Sequence, residues 1–79
     1  MSPTILRVGA FRFFFFSREE SRPHVHVHSP VGEAKFWLEP TVTCAISHGL
    51  PEKVLAEART IVEQNQEAFV EAWKRHFGS

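Results

Sequence analysis

Two neighbouring stretches of this chain carry side chains whose types and spacing could do chemistry. Pro23-His24-Val25-His26-Val27-His28 puts an imidazole at every second position. Glu33-Ala34-Lys35-Phe36-Trp37-Leu38-Glu39-Pro40 continues with carboxylate, ammonium and indole on the same alternation. A period of two is that of a strand. His24, His26, His28, Glu33, Lys35, Trp37 and Glu39 therefore share one face, and Val25, Val27, Ala34, Phe36 and Leu38 share the other.

Three chemistries fit that face. A metal is the first, because His24 and His26 would sit ~7 Å apart along one strand and could chelate an ion through Nε2. Two imidazoles need further ligands, and the hairpin register supplies only Trp37 and the cationic Lys35 beside them. Metal binding by His24 and His26 is therefore the third reading, and no cofactor is expected. Acid-base or anion chemistry is the second. Imidazole titrates near neutrality, so His26 or His28 with Arg12 could run a metal-independent ribonuclease. Phe14, Phe16 and Trp37 would then be base-stacking platforms. Arg7 and Arg12 face each other across a hairpin, an arrangement that is destabilising without an anion between them, so both are anion-binding candidates. The leading reading is plainer. Outward Ile5, Phe14, Phe16 and Trp37, with His24 stacked on Trp37, form a large apolar patch of the kind that marks a protein interface.

The elements that must position these residues can be read in order. Thr4 to Val8 is a β-rich run, Gly9-Ala10 suits a type II′ turn, and residues 10–16 form a second, aromatic strand. That turn pairs Val8 with Phe11, Arg7 with Arg12, Leu6 with Phe13 and Ile5 with Phe14. Ser17 to Arg22 is a polar loop, and Pro23 is tolerated at the start of a strand over 24–29. A turn centred on Pro30-Val31 sets His28 opposite Glu33, His26 opposite Lys35 and His24 opposite Trp37, with the fourth strand over 32–39. Rows then cross the sheet as Arg7, Arg12, His28, Glu33, then Ile5, Phe14, His26, Lys35, then Phe16, His24, Trp37.

Pro40 stops the fourth strand. Thr41 to Ile46 fits a short fifth strand or a helical turn equally well. Pro51-Glu52 opens a helix, with Pro51 near the first helical position and a carboxylate where the dipole favours it. Val54, Leu55, Ala58, Ile61, Val62, Asn65, Phe69, Ala72, Trp73, His76 and Phe77 fall on one stripe as far as Gly78. A helix over 51–77 would be ~40 Å long against strands of ~20 Å. Unless it breaks near Gln64-Asn65-Gln66, its end near Trp73 overhangs the sheet and needs cover from a partner or a second copy. The expected fold is α+β: an antiparallel four-stranded meander, one face covered by a single long C-terminal helix, in one domain over 1–79.

Pro3-Thr4-Ile5-Leu6-Arg7, the aromatic run Phe11 to Phe16, the Pro-His-Val-His-Val segment and Gly32 to Pro40 together resemble a small bacterial family catalogued as domain of unknown function 4160. The resemblance implies a component of a two-gene, toxin-antitoxin-like module encoded beside another small protein. It implies no catalytic residue.

Composition bounds the rest. At 79 residues the chain buries only about 60% of its unfolded surface, so a partner or a homodimer would help it. Nine basic residues balance nine acids, all Glu, which argues against an electrostatically driven nucleic-acid binder except through a local patch. A single Cys44 excludes an internal disulfide and fits a reducing cytoplasm. No apolar run reaches the ~20 residues that span a bilayer. His48, in a loop, and His76, near a helix C-terminus, have structural readings, and Cys44 reads as a small apolar residue. The expected function is a cytoplasmic interaction module working through Phe14, Phe16, His24, Trp37 and Trp73, not an enzyme. Chain-covered Phe14 and Trp37 in a stable monomer would count against it. The alternative is an RNA-directed toxin using Arg12, His26 and His28.

Overall fold

The computed structural model describes residues 4–16 and 22–78. Its five strands are β1 (Thr4–Val8), β2 (Phe11–Phe14), β3 (His24–Ser29), β4 (Gly32–Trp37) and β5 (Thr43–His48). Two helices follow, α1 (Glu52–Gln64) and α2 (Gln66–Phe77). The strands form one antiparallel sheet in the order β1-β2-β3-β4-β5. The expectation of four strands and one helix is therefore corrected on both counts. The expected loop Ser17 to Ser21 lies outside the described residues.

The hairpins form where turn chemistry demands. Gly9 takes φ 56 while, among the described residues, no non-glycine residue has positive φ, the combination of a type II′ turn and not a type I′. Val8 pairs with Phe11, Arg7 with Arg12 and Leu6 with Phe13. The next pairing departs from expectation, because Thr4 and not Ile5 lies opposite Phe14. The extra residue is a bulge, and one extra residue reverses the facing of everything beyond it. Ile5 is thereby released from the open face to pack with the core, and Thr4 takes its place. At the Pro30-Val31 turn Ser29 pairs with Gly32, so the β3–β4 register runs His28 to Glu33, His26 to Lys35 and His24 to Trp37.

β5 settles the ambiguous segment. Its β-branched residues pair along the outer edge of β4, and a second bulge falls between the pairs Lys35–Ile46 and Phe36–Cys44. Without the bulge Cys44, Ile46 and His48 would share a face. With it, Cys44 packs against the core, while Ile46 and His48 join the open face beside Lys35 and Glu33.

The helices cover the other face. Phe13, Phe15, Val25, Val27, Ala34, Phe36 and Leu38 meet Ala58, Val62, Phe69 and Trp73 in one buried cluster. Burying each large side chain contributes about 1.5–3 kcal/mol. The continuous helix expected over 51–77 is interrupted at Asn65, whose backbone sits at φ −116, ψ 15. The Asn65 side-chain amide donates to the Ile61 carbonyl at 2.8 Å, the local competition with helical bonding that favours a break. Gln66 Nε2 then donates to the Leu38 carbonyl at 2.6 Å and fastens the start of α2 to the end of β4. The break turns the second half of the stripe back over the sheet, where Phe69 meets Phe13 at 5.7 Å and Phe77 meets Phe15 at 6.2 Å between ring centres. The helix end is thus covered by the chain itself and does not overhang.

Candidate functional site

Pairing across the sheet gathers the chemistry-bearing residues into rows on the open face. One row takes an ionisable residue from every strand: Arg7, Arg12, His28, Glu33 and His48. The next holds Thr4, Phe14, His26, Lys35 and Ile46, and the third holds His24, Trp37 and Thr43. Arg7, His28, Glu33 and His48 are exposed, and His26 and Lys35 are half-buried.

The expected clash between Arg7 and Arg12 is avoided by geometry. Arg12 leans along the sheet, its Nε donating to Thr4 Oγ1 at 2.6 Å and its guanidinium lying 4.5 Å from the centre of the Phe14 ring. The bulge that brings Thr4 opposite Phe14 makes that bond available.

The outward aromatics are largely occupied by their neighbours. Phe14 is only 8% exposed, stacked on His26 at 5.5 Å and met edge-on by Phe16 at 5.3 Å. Trp37 carries Arg22 at 4.4 Å and Lys35 at 4.5 Å over its ring, a pair of cation–π contacts. Phe16, at 44% exposure, still presents a free surface beside His26, 4.3 Å away. Trp73 is not on this face: it is buried on the helix side against Phe77 at 4.7 Å, with His24 at 6.4 Å.

His24 is buried, and its Nδ1 lies 2.7 Å from the Arg22 carbonyl. A carbonyl only accepts, so Nδ1 carries the proton. His24 and His26 meet edge-to-face at 5.3 Å, the right neighbourhood for a shared metal. Yet among the described residues no group of three or more His, Cys, Asp or Glu side chains is placed to hold an ion.

Phe14, Phe16 and Ile46 wall a pocket of about 120 Å³, and His26, Glu33, Lys35 and His48 supply its polar groups. A larger apolar cleft of about 720 Å³ lies on the helix side, between the two hairpin turns and α1, lined by Val8, Phe11, Val31, Val54 and Ile61. Volume alone would favour the cleft as a site. Its ionisable lining is Glu57 alone, whereas the small pocket collects two imidazoles, an ammonium and a carboxylate, and chemistry decides for the pocket.

Sequence reasoning placed His48 in a loop and missed its part in this site. The β-branched run before it was the available signal, but the bulge that aims His48 at Glu33 has no sequence mark. Among the described residues the open face carries Arg7, Arg12, Arg22 and Lys35 against Glu33, while Glu39 turns toward α2 and lines a groove with Glu67 and Glu71. On the helices Glu52, Glu57, Glu63, Glu67 and Glu71 are interspersed with Lys53, Arg59, Lys74 and Arg75. Among the described residues the cationic excess is therefore on the open face, while the helix layer is close to balanced.

Among the described residues, no helix is long and apolar enough to cross a membrane. No curated protein and no solved structure matches the chain. One family model does, over residues 10–74, from the turn before β2 through most of α2. The chain that builds this five-stranded open face therefore belongs to the family described as Domain of unknown function (DUF4160).

Proposed function

We propose that the open face of the sheet binds single-stranded RNA. The observation that carries this reading is a local cationic excess, four cations against one carboxylate among the described residues of a face that also displays Phe16, Trp37 and the imidazoles of His26, His28 and His48. Phosphates are held by cations and bases stack on aromatic rings, so this combination suits a flexible strand better than a duplex. The measurement is fluorescence anisotropy with a short RNA oligonucleotide across a salt series. Three phosphate contacts would give a slope of about −2 in log K against log salt, at ~0.7 per contact for a single strand. Lys35→Glu should weaken binding at least ~tenfold, equivalent to ~1.4 kcal/mol, whereas Arg59→Glu on exposed α1 should not. Salt-independent affinity, or equal losses in the two variants, would sink the reading.

A second reading is favoured by one observation: Phe16 and Ile46, 44% and 50% exposed, stand on the two sides of the same pocket. As a protein contact they would support the role of a component in a two-gene, toxin-antitoxin-like module. Light scattering after co-expression with the small protein encoded by the neighbouring gene tests it, and a chain that ignores its neighbour rejects it.

A further inference from the structure

We infer that the pocket between His26 and His48 cleaves the bound strand, by attack of the RNA's own 2′-hydroxyl on the adjacent phosphodiester. The inference rests on the RNA-binding reading above and adds an activity to it.

His26 stands on β3 and His48 on β5, with β4 between them and one row of offset, so their backbones are ~12 Å apart across the sheet at ~4.8 Å per strand and ~3.4 Å per residue. Both line the one small pocket, and Lys35 and Glu33 of the intervening strand line it with them. Phosphodiester transesterification needs that set: a base on one side, an acid on the other, and a cation for the charge that develops on phosphorus oxygens. The pocket, of about 120 Å³, has room for a phosphate group, while a base has the exposed ring of Phe16 beside His26 on which to stack.

In the reaction, His26 takes the proton of the 2′-hydroxyl and O2′ forms a bond to phosphorus. The P–O5′ bond breaks, and protonated His48 gives its proton to O5′. Glu33, directly opposite His48 across the β4–β5 ladder, is the carboxylate positioned to pair with that imidazolium. Lys35 lines the pocket, and its ammonium, which rests over Trp37 at 4.5 Å, swings from that ring to the non-bridging oxygens. The products are a 2′,3′-cyclic phosphate and a 5′-hydroxyl, and the step consumes no other reactant. His28 lies outside the pocket lining, so the assignment moves the second imidazole from β3 to β5.

The experiment incubates the whole chain with a 5′-labelled RNA oligonucleotide in EDTA and follows both anisotropy and fragment end groups. Fragments ending in a cyclic phosphate are expected, while the 2′-O-methyl strand is bound and left intact. His48 is exposed, so His48→Ala tests chemistry without touching the core. It should slow cleavage at saturating RNA at least ~100-fold, the lower range for a general acid or base, a loss that weaker binding does not produce once the chain is saturated. His26→Gln, which keeps the half-buried position filled, should do the same. RNA bound but uncut by the wild-type chain overturns the cleavage and leaves the binding reading standing. Absence of binding overturns both. Cleavage unchanged in His48→Ala assigns the activity elsewhere and overturns the inference.

Discussion

Single side chains in this protein are settled by what lies opposite them. Trp73 is 6% exposed, and its Nε1 has no hydrogen-bond partner among the described residues. An unsatisfied buried donor costs ~1–3 kcal/mol. Trp73→Phe removes that donor while keeping most of the ring's contacts with Phe77, and should stay within ~1 kcal/mol of wild type in urea unfolding, against a loss of ~3–5 kcal/mol for Trp73→Ala. Phe14 makes the complementary point. It was legible as an outward residue, and it is outward, yet Arg12, Phe16 and His26 leave it 8% exposed. Alternation states which face a residue takes but not what the neighbouring strands will lay across it. Phe14 is almost wholly consumed inside the chain for that reason, and Trp37 in part, under Arg22 and Lys35.

At the scale of elements, the devices that aim the site are a bulge and a close backbone approach. A Cβ on Gly32 would run into the His48 carbonyl oxygen and approach the Gly49 carbonyl carbon to 2.7 Å, so the β3–β4 turn and the end of β5 dock through glycine. Gly49 itself sits at φ 80, where side chains are strained. Gly32→Ala must push β5 outward because the colliding atoms are backbone. We expect a loss of ~1–3 kcal/mol, the usual range for overpacking, and a fall in RNA cleavage with His48 displaced from Glu33. Both are readable from urea midpoints and the end-group assay. The α1–α2 break is a weaker joint. Gln66→Ala removes the bond to the Leu38 carbonyl and should cost ~0.5–1.5 kcal/mol, with hydrogen exchange rising first in α2.

For the whole molecule, the large apolar side chains still exposed are divided between two places. Val8 and Val31 lie at the cleft on the helix side, and Phe16 and Ile46 at the pocket on the open face. Neither pair makes the broad patch that an obligate dimer buries. The chain alone is expected to scatter as a monomer, leaving the open face available to RNA, and a stable dimer would instead favour the protein-contact reading. What the amino-acid sequence determined by itself is local: the alternation of His24 to His28 and Glu33 to Glu39, the Gly9-Ala10 and Pro30-Val31 turns, and hence the row Arg7, Arg12, His28, Glu33 and the shorter runs Phe14, His26, Lys35 and His24, Trp37. Those follow from periods and turn geometry, which need only neighbours in the chain. Tertiary structure alone decided the rest. Pairing with β4 made Thr43 to His48 a strand, and two bulges sent Ile5 and Cys44 to the core and His48 to the open face. Each depends on hydrogen bonds and apolar surface supplied by residues distant in the chain, which no local pattern can anticipate.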